Sequence, residues 1–218
     1  MCTEKNVVKF KFSELTKNII SSLVFIENAN AYNWEEKAKE ITLSKNDENE
    51  IKKLTQKLTK YPAHSINEAT LWNKMIYPLL ELVECDKIMV ASEVPLSENF
   101  KKFELSGEVD GLIGTYSNNE LEMPYFVVTE AKSGIGGKNP KYQLIGELLA
   151  VGKTNQNENN QDKQEIFGCY IIADSWVFIR ATICDLNEDK PKMKIETSRE
   201  FDEKFEAHII LAILKSIV

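Results

Sequence analysis

Histidine and arginine are scarce in this 218-residue chain, which has only His64, His208, Arg180 and Arg199. Cysteine is limited to Cys2, Cys85, Cys169 and Cys184, and no two of them have a C-x-x-C spacing. That set excludes a structural zinc site, which needs four clustered sulfur or imidazole ligands. Cys85, Cys169 and Cys184 stand in apolar surroundings and read as reduced thiols of a core. Long apolar runs are missing too. The longest C-terminal one, residues 209–214, falls far short of the roughly 20 residues that span a bilayer. The start, Met1-Cys2-Thr3-Glu4, has no apolar signal core. The expectation is a cytoplasmic protein with no membrane partner.

Positive charge is in deficit as well. Lysine and arginine number 27 against 34 aspartates and glutamates, a net charge of −7. This excludes a polybasic protein that holds nucleic acid by bulk charge, but not one with a local basic groove. Almost all the positive charge is lysine, which grips phosphate as a point charge, whereas arginine reads guanine bidentately. A nucleic-acid partner would therefore be held by its backbone more than by its bases.

What is present is an ordinary globular composition, 43% hydrophobic and 28% charged, in a chain long enough to bury a core unaided. No internal repeat is visible. Two polar stretches, residues 44–50 and 154–165, read as solvated loops. Between them the periodicity changes. Ile51, Leu54 and Leu58 line one helical face, and Lys53, Lys57 and Lys60 another. Ser65-Ile66-Asn67-Glu68 reads as a capping box that opens a second helix, in which Pro78 predicts a kink. Strands are expected over residues 88–96, 103–116 and 125–131. Asn139-Pro140 then opens a helix reaching about Gly152. Residues 166–173 and 176–183 read as a hairpin, 193–196 as a further strand, and 201–218 as a closing helix. The order predicts an α/β fold, a mixed β-sheet flanked by helices, with residues 1–64 a mainly helical extension and 65–218 the core.

The chemistry concentrates in Gly107-Glu108-Val109-Asp110-Gly111 and Phe126-Val127-Val128-Thr129-Glu130-Ala131-Lys132. Strand side chains alternate, so Glu130 and Lys132 share a face, as do Glu108 and Asp110. If the strands pair, Asp110 and Glu130 converge with Lys132 beside them. Paired carboxylates suit magnesium or manganese, and a lysine there can stabilise charge on a phosphate. A Glu130–Lys132 ion pair with no metal explains the same residues. The loop Gly134-Ile135-Gly136-Gly137-Lys138 fails the phosphate-loop pattern, because Lys132 and Asn139 stand where glycine and serine or threonine belong. It reads instead as a border of the site, from which Lys138 and Lys141 can touch a phosphate strand.

The region from Ser65 to Ile183 resembles the PD-(D/E)XK nuclease superfamily, and most of all the branch near the N-terminal nuclease region of type I restriction-enzyme motor subunits. The motif residues are Glu68, then Gly107-Glu108-Val109-Asp110, then Glu130-Ala131-Lys132, then Gln143. The pattern departs in two places. Val109 stands where the motif has proline, and Glu147 follows Gln143 where many relatives have tyrosine. The resemblance implies a restriction-endonuclease-like fold, with Asp110, Glu130 and Glu68 holding Mg2+ or Mn2+ and Lys132 and Gln143 completing the catalytic set. It also implies a nucleic-acid substrate, DNA in the first place, and a nucleoid-associated location or assembly as a homodimer or larger complex. The same positions have plainer readings. Glu68 can serve the capping box, Gln143 can be an ordinary polar helix residue, and Glu108 can face solvent. Trp72, Trp176 and Phe178 are expected in the core. The alternative function is a catalytically silent module of this fold that binds nucleic acid or a protein partner; a scaffold with no nucleic-acid role is the third.

Overall fold

The computed structural model describes residues 7–61, 63–133 and 139–218. In its central strands apolar side chains occupy both parities, a pattern that only a sheet covered on both faces can bury. In β6 (Gln164–Ile172), Cys169 and Ile171 enter one core and Ile166 the other. In β5 (Glu120–Lys132), Val127 and Ala131 face the first core and Val128 the second.

Eight strands form one mixed sheet, in the order β1-β4-β5-β6-β7-β8-β2 with β3 on the other edge of β4. The remaining strands are β1 (Val8–Lys11), β2 (Phe25–Ala29), β3 (Ile88–Asn99), β4 (Phe103–Ser117), β7 (Ser175–Cys184) and β8 (Lys192–Asp202). β3, β4 and β5 form an antiparallel meander, β5 runs parallel to β6, and β6, β7 and β8 are antiparallel again. One helical layer holds α2 (Trp34–Lys39), α3 (Lys45–Lys60), α4 (Glu68–Leu71), α5 (Tyr77–Leu80) and α7 (Glu203–Ile217). The other holds α1 (Lys17–Leu23) and the long α6 (Lys141–Asn159). The fold is thus an α/β one, a mixed multi-strand sheet flanked by helices with an N-terminal helical region. That N-terminal region also supplies two strands, β1 parallel to β4 and β2 parallel to β8. Among the described residues, no helix is long and apolar enough to cross a membrane.

Four expectations are corrected. Residues 44–50 are not a loop: Ser44 caps α3 reciprocally with Asp47, and the first two turns carry these polar residues. Asp47 is buried because Lys215 of α7 reaches both of its oxygens, at 2.9 and 3.0 Å. Residues 154–159 belong to α6, and only residues 160–163 form an exposed connection. Within α6, Asn155 is buried, and its partners explain why. Its Oδ1 accepts from Tyr125 N at 3.0 Å and its Nδ2 donates to Tyr125 O at 2.9 Å, so the amide satisfies a backbone that β4 leaves at an irregular register. Third, Cys85 is exposed, while Cys169 is buried and Cys184 half-buried; Cys2 lies outside the described residues. Fourth, the Ser65 capping box gives way to a short helical turn at Ala63–Ser65, and Asn67 becomes the cap, its Oδ1 accepting from Thr70 N at 2.8 Å. Pro78 has the predicted effect in another form. It has no N–H to donate, and the turn before it, Trp72–Ile76, widens to π geometry.

Candidate metal and phosphodiester site

β4 and β5 pair as far as Gly111–Thr129, and there they part. Asp110 turns its Oδ2 to accept from Ala131 N at 2.8 Å, which ties the two strands across the opening. Glu130 and Lys132 follow on one face of β5, and the ammonium of Lys132 lies 2.5 Å from Glu130 Oε1. Lys132 Nζ also donates to Ala131 O at 3.1 Å and to Glu68 Oε1, from α4, at 3.2 Å. Glu68 therefore stands at the first helical position and faces the lysine. The sheet brings Asp110, Glu130, Lys132 and Glu68 together.

α6 supplies the rest. Gln143 does not touch the strand carboxylates. Its Nε2 donates to Glu147 Oε1 at 3.0 Å, and Glu147 comes within hydrogen-bonding range of Glu130. Glu147 was not among the residues expected to act, yet it is fully buried in the heart of the cluster. A signal for it existed: it is the one charge in the otherwise apolar stretch Leu144-Ile145-Gly146-Glu147-Leu148-Leu149. Glu108 is exposed, as its plainer reading required. Lys141 opens α6 and is part-exposed; Gly134 to Lys138 lie outside the described residues. Trp176 and Phe178 are core residues, whereas Trp72 is only half-buried.

Charge in the cluster does not balance. Among the described residues, Glu68, Asp110, Glu130 and Glu147 face one ammonium, that of Lys132. Burial pushes the Glu130 carboxyl up to about 7, helped by the neighbouring charge of Asp110. Burial and then the charge of Glu130 hold Glu147 well above the usual carboxylate range, and burial raises Asp110 too. Lys132 moves the other way from a desolvated amine. Burial alone would lower it, but Glu130, Asp110 and Glu68 together raise it, so it stays charged.

The donor set fits a hard divalent cation. Glu130 Oε1 meets the Lys132 ammonium, while Glu130 Oε2 and Glu147 Oε2 have no hydrogen-bond partner. Buried carboxylate oxygens in that condition are costly without a proton or a cation. Among the described residues, no group of three or more His, Cys, Asp or Glu side chains forms a ready-made cage. Magnesium does not need one, since it is commonly held by one or two carboxylates and keeps several waters or phosphate oxygens. Both arginines are engaged elsewhere. Arg180 pairs with Glu165 and Glu196, and Arg199 with Glu35 and Glu206.

A scan against models of known protein families and a search of curated proteins both return no match for this chain.

Proposed function

We propose that this chain is a metal-dependent phosphodiesterase acting on nucleic acid, DNA in the first place, with a restriction-endonuclease-like fold. The observation that carries the reading is the pair of fully buried glutamates, Glu130 and Glu147, at the point where β4 and β5 part: Lys132 meets Glu130 Oε1 and Gln143 meets Glu147 Oε1, but Glu130 Oε2 and Glu147 Oε2 have no hydrogen-bond partner. Structural carboxylates are normally partnered; these are left for a cation. The order of the parts, Glu68 on a helix, Asp110 and Glu130-Ala131-Lys132 on adjacent strands, and Gln143 on the next helix, agrees with the PD-(D/E)XK resemblance.

In this reading Asp110 and Glu130 hold Mg2+ or Mn2+, with Glu68 able to contribute through water. The metal would supply positive charge to a phosphate oxygen and acidify a bound water. The chain itself supplies position and charge. Lys132 Nζ, fixed by Glu68, Ala131 O and Glu130, presents a permanent cation to the charge that builds on the phosphate. Gln143 holds Glu147 Oε1, which sets the carboxyl group behind Glu130. Lysine at the site mouth, and not arginine, meets the backbone, because both arginines are already paired.

A second reading is a catalytically silent module of the same fold that binds nucleic acid or a protein partner. The net charge of −7 and the Lys132 ammonium already resting among carboxylates favour it. Calorimetric titration of the purified protein with magnesium, followed by assays on labelled DNA and RNA, separates the two. Binding that disappears in Asp110→Ala, together with metal-dependent cleavage, supports the nuclease. No magnesium binding and no cleavage with any divalent ion replaces it with the module.

A further inference from the structure

Beside the carboxylate cluster lies a cavity of about 310 Å³, lined by Glu68, Ala69, Trp72, Asn73, Glu93, Asp110 and Ala131. We infer that this cavity takes the base of an unpaired nucleotide, stacked on the indole of Trp72, so that the substrate is a single strand or a frayed end. The inference rests on the nuclease reading and deepens it.

Trp72 is unlike the other two tryptophans. Trp34 and Trp176 are buried, at 5% and 0% exposure, while Trp72 keeps a part-exposed ring. Three features of the chain hold that ring at the cavity. The π turn beginning at Trp72 shifts the helix face there, and such turns recur at functional positions. Trp72 Nε1 donates to Ser92 Oγ at 3.1 Å, which fixes the ring plane against β3. Gly111 clears the space below it: a Cβ there would lie 2.5 Å from Trp72 Cη2, so only glycine lets the ring lie against β4 beside Asp110.

The chemistry of the walls selects the occupant. With no metal bound, Glu68, Glu93 and Asp110 repel a phosphate, so the neutral part of a nucleotide enters. Glu93 stands opposite Asp110 where the β3–β4 ladder omits one pair, between Ser92–Gly111 and Val94–Val109 with the register unchanged, and its backbone is left-handed at φ 54°. Carboxylates accept hydrogen bonds from the exocyclic amino groups of cytosine, adenine and guanine, which thymine lacks. A volume near the lower end of small-ligand sites suits one base, and a duplex keeps its base faces stacked inside.

The test measures anisotropy of fluorescein-labelled single strands of ten deoxycytidines, ten ribocytidines and ten thymidines, and of a ten-base-pair duplex, in chelator. Tryptophan emission is followed in parallel. The wild type should bind the cytidine strands more tightly than the duplex or the thymidine strand, and the deoxy and ribo arms tell DNA from RNA. Trp72→Leu should weaken cytidine-strand binding about tenfold, the scale of one lost base–aromatic stack, while Trp72→Phe keeps most of it. Quenching by the strand should vanish in Trp72→Phe, because Trp34 and Trp176 are buried; this readout stands even if Trp72→Leu does not fold. Equal binding of strand and duplex, or unchanged quenching in Trp72→Phe, overturns the inference and leaves the nuclease reading intact if metal-dependent cleavage is present. Absence of binding to any of the four probes overturns the inference, and metal-dependent cleavage, measured separately, decides the nuclease reading.

Discussion

Two buried acidic regions of this molecule look alike in composition and differ in what completes them. Around β7 and β8, Glu196 is almost fully buried, but Ala31 N donates to its Oε1 at 3.2 Å and Arg180 Nη1 to its Oε2 at 2.8 Å. Around β4 and β5, Glu130 and Glu147 are equally buried; Glu130 Oε1 meets the Lys132 ammonium, but Glu130 Oε2 and Glu147 Oε2 receive no hydrogen bond. The first arrangement joins β2 to the sheet and ends there. The second leaves Glu130 Oε2 and Glu147 Oε2 without a hydrogen-bond partner. A buried carboxylate supports a functional reading through its missing partners more than through its burial alone.

Breaking the second region should have the largest effect. Asp110→Ala and Glu130→Gln are expected to abolish cleavage and magnesium binding together, read by nuclease assay and calorimetry. Lys132→Ala is expected to cost at least about a hundredfold in cleavage while magnesium still binds, because the proposed function has the lysine act on the phosphate and not on the ion. If Lys132→Ala loses metal binding and cleavage equally, the lysine is holding the site's shape and has no separate part in the reaction.

Breaking the first region should act on stability. Arg180→Ala strands Glu196 in the interior and should cost about 2 kcal/mol, discounted because the guanidinium is partly solvated. That is a fall in melting temperature of roughly 4–8 °C for a chain of this length. Cleavage at permissive temperature should be unchanged.

The comparison sharpens with pH. Glu130 at about 7, Glu147 above the usual carboxylate range and Glu203, another buried glutamate also raised to about 7 by burial, hold protons in the folded state that the unfolded chain has released. Their contribution is fully present below the ordinary glutamate value and is lost as pH rises through about 7. The melting temperature in chelator should therefore fall between pH 5 and pH 8. Magnesium should restore part of the loss, and Glu147→Gln should flatten the slope by removing one of the protons at issue. A melting temperature that rises over this range would show the cluster to be internally balanced. The smallest effect belongs to Glu108→Ala, where an exposed carboxylate on the same strand should change stability by less than about 0.5 kcal/mol and leave cleavage as it was.

Much of this was legible in the sequence. Strand alternation put Glu130 and Lys132 on one face, and the hairpin at residues 166–183 ended within two residues of where it was expected. What escaped is what local pattern cannot carry. Asn155 reads as loop until Tyr125, 30 residues away, supplies the backbone that its amide satisfies. Local pattern offered Glu68 only a capping box, and the family resemblance, not the pattern, put it beside Lys132. The strands β1 and β2 are four and five residues long and become strands only by pairing with β4 and β8. Glu147 was visible as a charge in an apolar helix, but its meaning depends on Glu130 across the layer.

The most direct test compares wild type and Asp110→Ala, purified identically, on labelled single- and double-stranded DNA with magnesium, with manganese and with chelator. The account predicts cleavage by the wild type that requires a divalent ion and is absent in the variant at equal folded concentration. Equal cleavage by both proteins, or none by the wild type with either metal, would contradict it.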